Sequence, residues 1–209
     1  MSRSRLALIS LGSLLATALL GFAVSRGFNA LRLEWHTLHL LGHRNLDHYG
    51  ELADFLAVPF IAAAFVASAV YGAVRRVLPR VVVLAGFAVL AFVLNEAVLK
   101  PVVQQRFQSE LSFPSGNVTA VCATALAMWI ALYPVLGRVA RVVTFALGVA
   151  WTGLMALAVV GAFWHTPLDV VGSIFLSVGV VTGGAALLRA RPPSVRSAFA
   201  GRASTLKRV

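Results

Sequence analysis

The chain has little that would keep it in water and nothing that would staple it. Charged side chains make up only 12% of its 209 residues, hydrophobic ones 59%, and its mean hydropathy is +0.87. A soluble domain carries about 25% charge, so both a water-exposed fold and a disordered chain are excluded. A single cysteine, Cys122, excludes an intrachain disulfide framework. Acids are scarce, seven against 18 Lys plus Arg, for a net charge of +11. Such an excess would point to nucleic acid if it were gathered on a soluble module. Here the basic residues flank apolar runs, as they do where a membrane protein sets its orientation, and no nucleic-acid partner is expected.

What is present is six long apolar runs, over residues 6–24, 55–74, 81–99, 118–136, 142–164 and 170–188, with Glu96 the one charge inside them. About 20 apolar residues span a bilayer as a helix, and continuous runs exclude the alternating strands of a barrel. The expected fold class is all-α, a polytopic six-transmembrane-helix bundle. It forms a single membrane domain over 1–188, followed by a basic, flexible cytoplasmic tail over 189–209 beside anionic lipid. The first run is read as a retained helix, because its apolar stretch is longer than a signal core and its cleavage site is weak. With the amino terminus inside, most of the 18 basic residues fall on the inner side, from Arg3 and Arg5 to Lys207 and Arg208. Arg26, Arg32, Arg44, Lys100 and Arg106 fall outside. That bias predicts a multi-pass cell-membrane protein with both termini cytoplasmic. The segment 25–54 is expected to hold one or two short interfacial helices anchored by Trp35 and Tyr49.

The chemistry-bearing residues gather at the outer helix ends. Lys100 closes the third run and Arg106 lies in the loop after it; Pro114, Ser115, Gly116 and Asn117 open the fourth helix; His165 and Asp169 lie between the fifth and sixth. Two crossings separate Ser115 from His165, so both lie on one membrane face whichever way the chain is inserted. A helix N-terminus offers free N–H groups to an anion, and Lys100 and Arg106 add phosphate-binding donors. His165 has the chemistry of a nucleophile or base. Asp169, one helical turn on, has that of the carboxylate that fixes its tautomer. Blander roles compete for each: Ser115 and Asp169 as helix caps, Lys100 as a partner of Glu96 one turn earlier, Arg106 as a solvated loop charge. His36, His39 and His43 share a helical face; zinc and an interfacial face toward headgroups both fit that spacing, and the second is preferred. Gly172, Gly179, Gly183 and Gly184 in the last helix predict close helix packing.

The run Lys100…Arg106…Phe113-Pro114-Ser115-Gly116, followed by His165-Thr166-Pro167-Leu168-Asp169, resembles the phosphatidic acid phosphatase type 2 family, the lipid phosphate phosphatases. The resemblance covers roughly residues 95–173, and six helices match that family's membrane architecture. It implies removal of phosphate from a lipid phosphate or polyprenyl diphosphate through a phosphohistidine, with no cofactor and no metal. By this resemblance His165 attacks phosphorus, Asp169 orients it, Lys100, Arg106, Ser115 and Gly116 hold the phosphoryl oxygens, and Asn117 donates a hydrogen bond. Three departures stand out. Five residues rather than six separate Lys100 from Arg106, and Phe107 stands where the family has proline. Asn117 replaces the second-motif histidine, the presumed proton donor. Ala158 and Val159 replace the Ser-Arg that opens the third motif. An amide does not transfer a proton at neutral pH, and general acid catalysis contributes about 10²–10⁴-fold. The loss matters least when the leaving group is itself a phosphate, with a second pKa of about 6.

The expectation is therefore a cell-envelope enzyme, a hydrolase of lipid-linked phosphate or polyprenyl diphosphate, with its site on the outer face. The alternatives are a phosphotransferase and a catalytically degenerate member that binds lipid phosphate or serves as a scaffold in envelope-lipid metabolism. A transporter ranks last, because no charge sits at mid-helix. The sequence carries no signal for oligomeric state.

Overall fold

The computed structural model describes residues 2–27, 46–107 and 110–190. Within them the chain is almost wholly helical: α1 Arg3–Ser25, α2 Leu46–Leu56, α3 Val58–Val74, α4 Leu78–Leu94, a π-helical segment Asn95–Leu99, α5 Lys100–Val103, α6 Gly116–Leu132, α7 Arg138–Gly161 and α8 Pro167–Ala190. A two-stranded hairpin, β1 Arg106–Phe107 and β2 Glu110–Leu111, interrupts the helices before α6. Five helical stretches are long and apolar enough to cross a membrane, and Gly116–Leu132 is a shorter sixth. The molecule is a polytopic helical membrane protein. Trp35, the three clustered histidines and the basic tail from Arg191 onward lie outside the described residues.

The helix ends follow local chemistry. Pro79 falls in the first turn of α4 and Pro167 opens α8, where proline's missing N–H costs nothing. The α4–α5 helix runs on past Lys100 to Val103, and Pro101 explains the π-turn before it. A proline inside a helix clashes with the carbonyl four residues back, and the wider π-turn over 95–99 takes up that misfit.

α6 is the central helix, with Val118, Thr119, Val121 and Ala123 completely buried; α3, α4, α7 and α8 all pack on it. At the end of the bundle away from Ser115, two guanidinium groups tie α3 and α4 to the end of α6. The Arg80 guanidinium donates to the Ile130 carbonyl at 2.9 Å and the Arg75 guanidinium to the Val135 carbonyl at 3.3 Å. The most extensive helix pairing is α1 against α8. The buried stripe of α1 is small and polar (Ser10, Ser13, Thr17, Gly21), while Leu8, Leu11, Leu15 and Leu19 face outward. This is the pattern of a helix whose surroundings are lipid. Each of the four α8 glycines expected at close contacts meets a neighbour: Gly172 the Phe113 ring, Gly179 Leu14, Gly183 the Ser10 hydroxyl, and Gly184 the Phe87 ring. The Ser10 hydroxyl also donates to the Gly179 carbonyl at 2.7 Å.

Candidate active site

The Phe113-Pro114-Ser115-Gly116 turn is pinned from below. Phe113 is buried with Val24 and Val103, its ring against Gly172 of α8 and Gly21 of α1. Ser115, wholly buried, is the N-cap of α6; its hydroxyl accepts from the Val118 N–H at 3.5 Å. Its main chain is tied elsewhere. The Ser115 N–H donates to the Asp169 carbonyl at 3.3 Å, and the Ser115 carbonyl accepts from the Thr119 hydroxyl at 2.7 Å and the Ser173 hydroxyl at 2.9 Å. The turn and the start of α8 are thus one unit. With the Ser115 N–H so engaged, the donors the helix end can turn to an anion begin at Gly116 and half-buried Asn117.

His165 is delivered by the end of α7. Phe163 adopts φ 57°, its N–H donates to the Val160 carbonyl and the Trp164 N–H to the Val159 carbonyl, both at 3.0 Å. This is a Schellman cap with a bulky residue where glycine is usual. The segment then reverses into α8 through a reciprocal cap. The Thr166 N–H donates to Asp169 Oδ2 at 2.8 Å and the Asp169 N–H to the Thr166 hydroxyl at 3.4 Å, a capping box with aspartate in the acidic place. His165 Nδ1 stands 3.5 Å from Asp169 Oδ2. Asp169 is fully buried, and both its Oδ1 and His165 Nδ1 are buried without a hydrogen-bond partner. Asp169 therefore caps α8 and faces the imidazole at once, leaving Nε2 as the nitrogen turned away from the carboxylate.

The remaining candidates divide. Lys100 Nζ lies 2.8 Å from Glu96 Oε1 and 3.0 Å from its Oε2, so the helical pairing is real. The pair also reaches the site: Glu96 Oε1 packs against the Gly116 backbone, where a side-chain Cβ would collide with it. Arg106 is exposed on β1. Strand alternation turns its neighbour Phe107 into the cluster of Val118, Val159 and Val170 and Arg106 to the other face. Val159, which the motif resemblance sets at an arginine position, is completely buried in that cluster, and its carbonyl receives the Trp164 and His165 N–H groups. The structure thus brings Ser115, Gly116, His165, Asp169, Lys100 and Glu96 together. Glu96 is the one the motifs do not mark. Its signal was that it is the sole charge within an apolar run, and such a residue is a functional candidate by default.

The comparisons bear on the same stretch. Residues 95–192 match a family model described as PAP2 superfamily. No curated protein and no solved structure matches the chain significantly. The matched residues begin at Asn95, in the π-segment beside Glu96, and run through α6 and α7 to the end of α8. Over residues 95–192 the chain is similar to the PAP2 superfamily, whose chemistry is phosphatase-type hydrolysis of phosphate esters.

Proposed function

We propose that the chain is a membrane lipid phosphatase acting on a lipid-linked phosphate or polyprenyl diphosphate at the outer membrane face, through a phosphohistidine on His165. The observation that carries this reading is the joint between the two motifs. The Ser115 N–H on the Asp169 carbonyl, at 3.3 Å, holds an anion-binding helix end beside a histidine that faces a buried carboxylate at 3.5 Å. In this reading Nε2 of His165 attacks phosphorus and Asp169 stabilises the cationic ring. Lys100, Arg106 and the Ser115–Gly116 turn hold the phosphoryl oxygens as charge develops on them. Asn117 adds a hydrogen bond and no proton, so a diphosphate, whose leaving group is phosphate, is favoured over a phosphomonoester.

The test is phosphate release by the purified protein from a polyprenyl diphosphate and from phosphatidate. Turnover of the first faster than the second, abolished by His165→Ala, is expected; equal rates on the two would overturn the leaving-group argument. A second reading has its own observation. Val159 is packed in an apolar cluster where a third phosphate-binding cation is expected, which suits a member that binds lipid phosphate without turnover. Saturable binding of phosphatidate with no phosphate released from either substrate would select it.

A further inference from the structure

We propose that Glu96 is the proton-transfer residue of this site and performs the step that Asn117 leaves unserved. The proposal rests on the phosphohistidine reading above. Four observations carry it. Glu96 Oε1 touches the backbone of Gly116, the residue before Asn117. That contact exists because position 116 has no side chain, and an ion pair with Lys100 does not require it, since i, i+4 spacing brings such pairs together anywhere on a helix. The carboxylate is aimed rather than loose: Asn95, fully buried, donates its Nδ2–H to Glu96 Oε1 at 3.3 Å, and Lys100 holds both oxygens. The side chain keeps 37% of its surface exposed, so a ligand can reach it. Finally, Glu96 lies in the π-segment, and single π-turns within helices concentrate at functional sites because they re-aim side chains.

The chemistry balances over one cycle. In the first half His165 Nε2 gives its electron pair to phosphorus. The bond from phosphorus to the leaving oxygen breaks, its electrons stay on that oxygen, and the oxygen takes the proton of the Glu96 carboxyl. In the second half a water oxygen attacks phosphorus, the phosphorus–nitrogen electrons return to Nε2, and the Glu96 carboxylate takes the water's proton. The carboxyl is restored, and the sum is hydrolysis. Lys100 supplies the switch. Drawn to the phosphoryl oxygens, it leaves the Glu96 oxygens free to meet the leaving oxygen and then the water. With a diphosphate the leaving phosphate needs little protonation, so the second half depends most on Glu96.

The experiment is Glu96→Gln in the full-length protein, with a polyprenyl diphosphate radiolabelled on its terminal phosphate. Turnover falls about 10²–10⁴-fold, while a burst of lipid monophosphate and an acid-labile label on the protein accumulate, because the phosphohistidine forms and then waits for water. Adding Asn117→His to Glu96→Gln restores turnover and clears the label; this rescue shows that a Glu96→Gln protein is folded. Glu96→Gln turnover equal to wild type overturns the assignment. So does a slow variant that accumulates no label and is not rescued by Asn117→His. Wild-type turnover that persists in His165→Ala overturns the phosphohistidine reading and this one with it. A wild type that labels on His165 while Glu96→Gln is indifferent overturns this one alone.

Discussion

At the scale of the residue, the site turns on what Gly116 lacks. Alanine is a better helix former than glycine by about 1 kcal/mol, so on propensity alone Gly116→Ala should leave α6 at least as stable. The added Cβ, however, lands on the Glu96 carboxylate and has the Phe92 ring at 3.6 Å behind it. The expected outcome is a melting temperature in detergent equal to or above wild type together with at least a tenfold loss of turnover. Unchanged turnover would show that the carboxylate's place beside Gly116 has no part in the reaction. Residues such as His165, Asp169 and Ser115 were legible in the sequence because spacing along the chain carries their chemistry. Glu96 was legible only as a charge in an apolar run. Its contact with Gly116 depends on how α4 packs on α6, and no local pattern records that. Val159 was expected from the motif resemblance to stand at an arginine position, and the structure fills it with a side chain that completes an apolar cluster with Val118 and Val170.

At the scale of the element, the glycines of α8 set where the turn before α6 sits. The Phe113 ring occupies the space over Gly172, and Pro114, Ser115 and Gly116 follow directly from it. Gly172→Leu forces that ring out. Overpacking of this kind costs about 1–3 kcal/mol, and here the displacement is passed to the Pro114–Gly116 turn. A lowered melting temperature with loss of turnover is expected. Gly12→Leu and Gly86→Leu, where nothing lies within 4 Å of an added Cβ, should alter neither; equal effects at all three positions would refute the coupling. The apolar runs announced the helices themselves, but their ends shifted. A run expected over 118–136 became Gly116–Leu132 because Ser115 caps it. One expected over 142–164 became Arg138–Gly161 because the chain turns left-handed at Phe163. The π-turn was hidden, since Pro101 announces a disturbance but not its form.

At the scale of the whole molecule, six apolar helices and the excess of basic residues were readable from composition, because the bilayer imposes both. The relative heights of the helices were not readable, and they have a consequence. The 17 residues of α6 rise about 25 Å, against about 36 Å for the 24 residues each of α7 and α8. The Ser115 N–H meets the Asp169 carbonyl two residues into α8, so only part of the shortfall falls at the end that carries the site. There Gly116 is level with Glu96, seven residues and about 10 Å below the end of α5 at Val103. The hydrocarbon layer is about 30 Å thick, so on the proposed function a phosphate held at Gly116 would sit beneath the plane of the headgroups. A thinner leaflet shortens that descent, and mismatch between helix and bilayer costs a fraction of a kcal/mol per Å. Reconstituted into vesicles of phosphatidylcholines with progressively longer acyl chains, the protein should lose turnover as thickness grows while its melting temperature changes little. A rate indifferent to chain length would mean that the recess is closed by something other than the depth of the lipid. In this sense the protein would read the thickness of its own membrane, and sorting among membranes would regulate it without any dedicated effector.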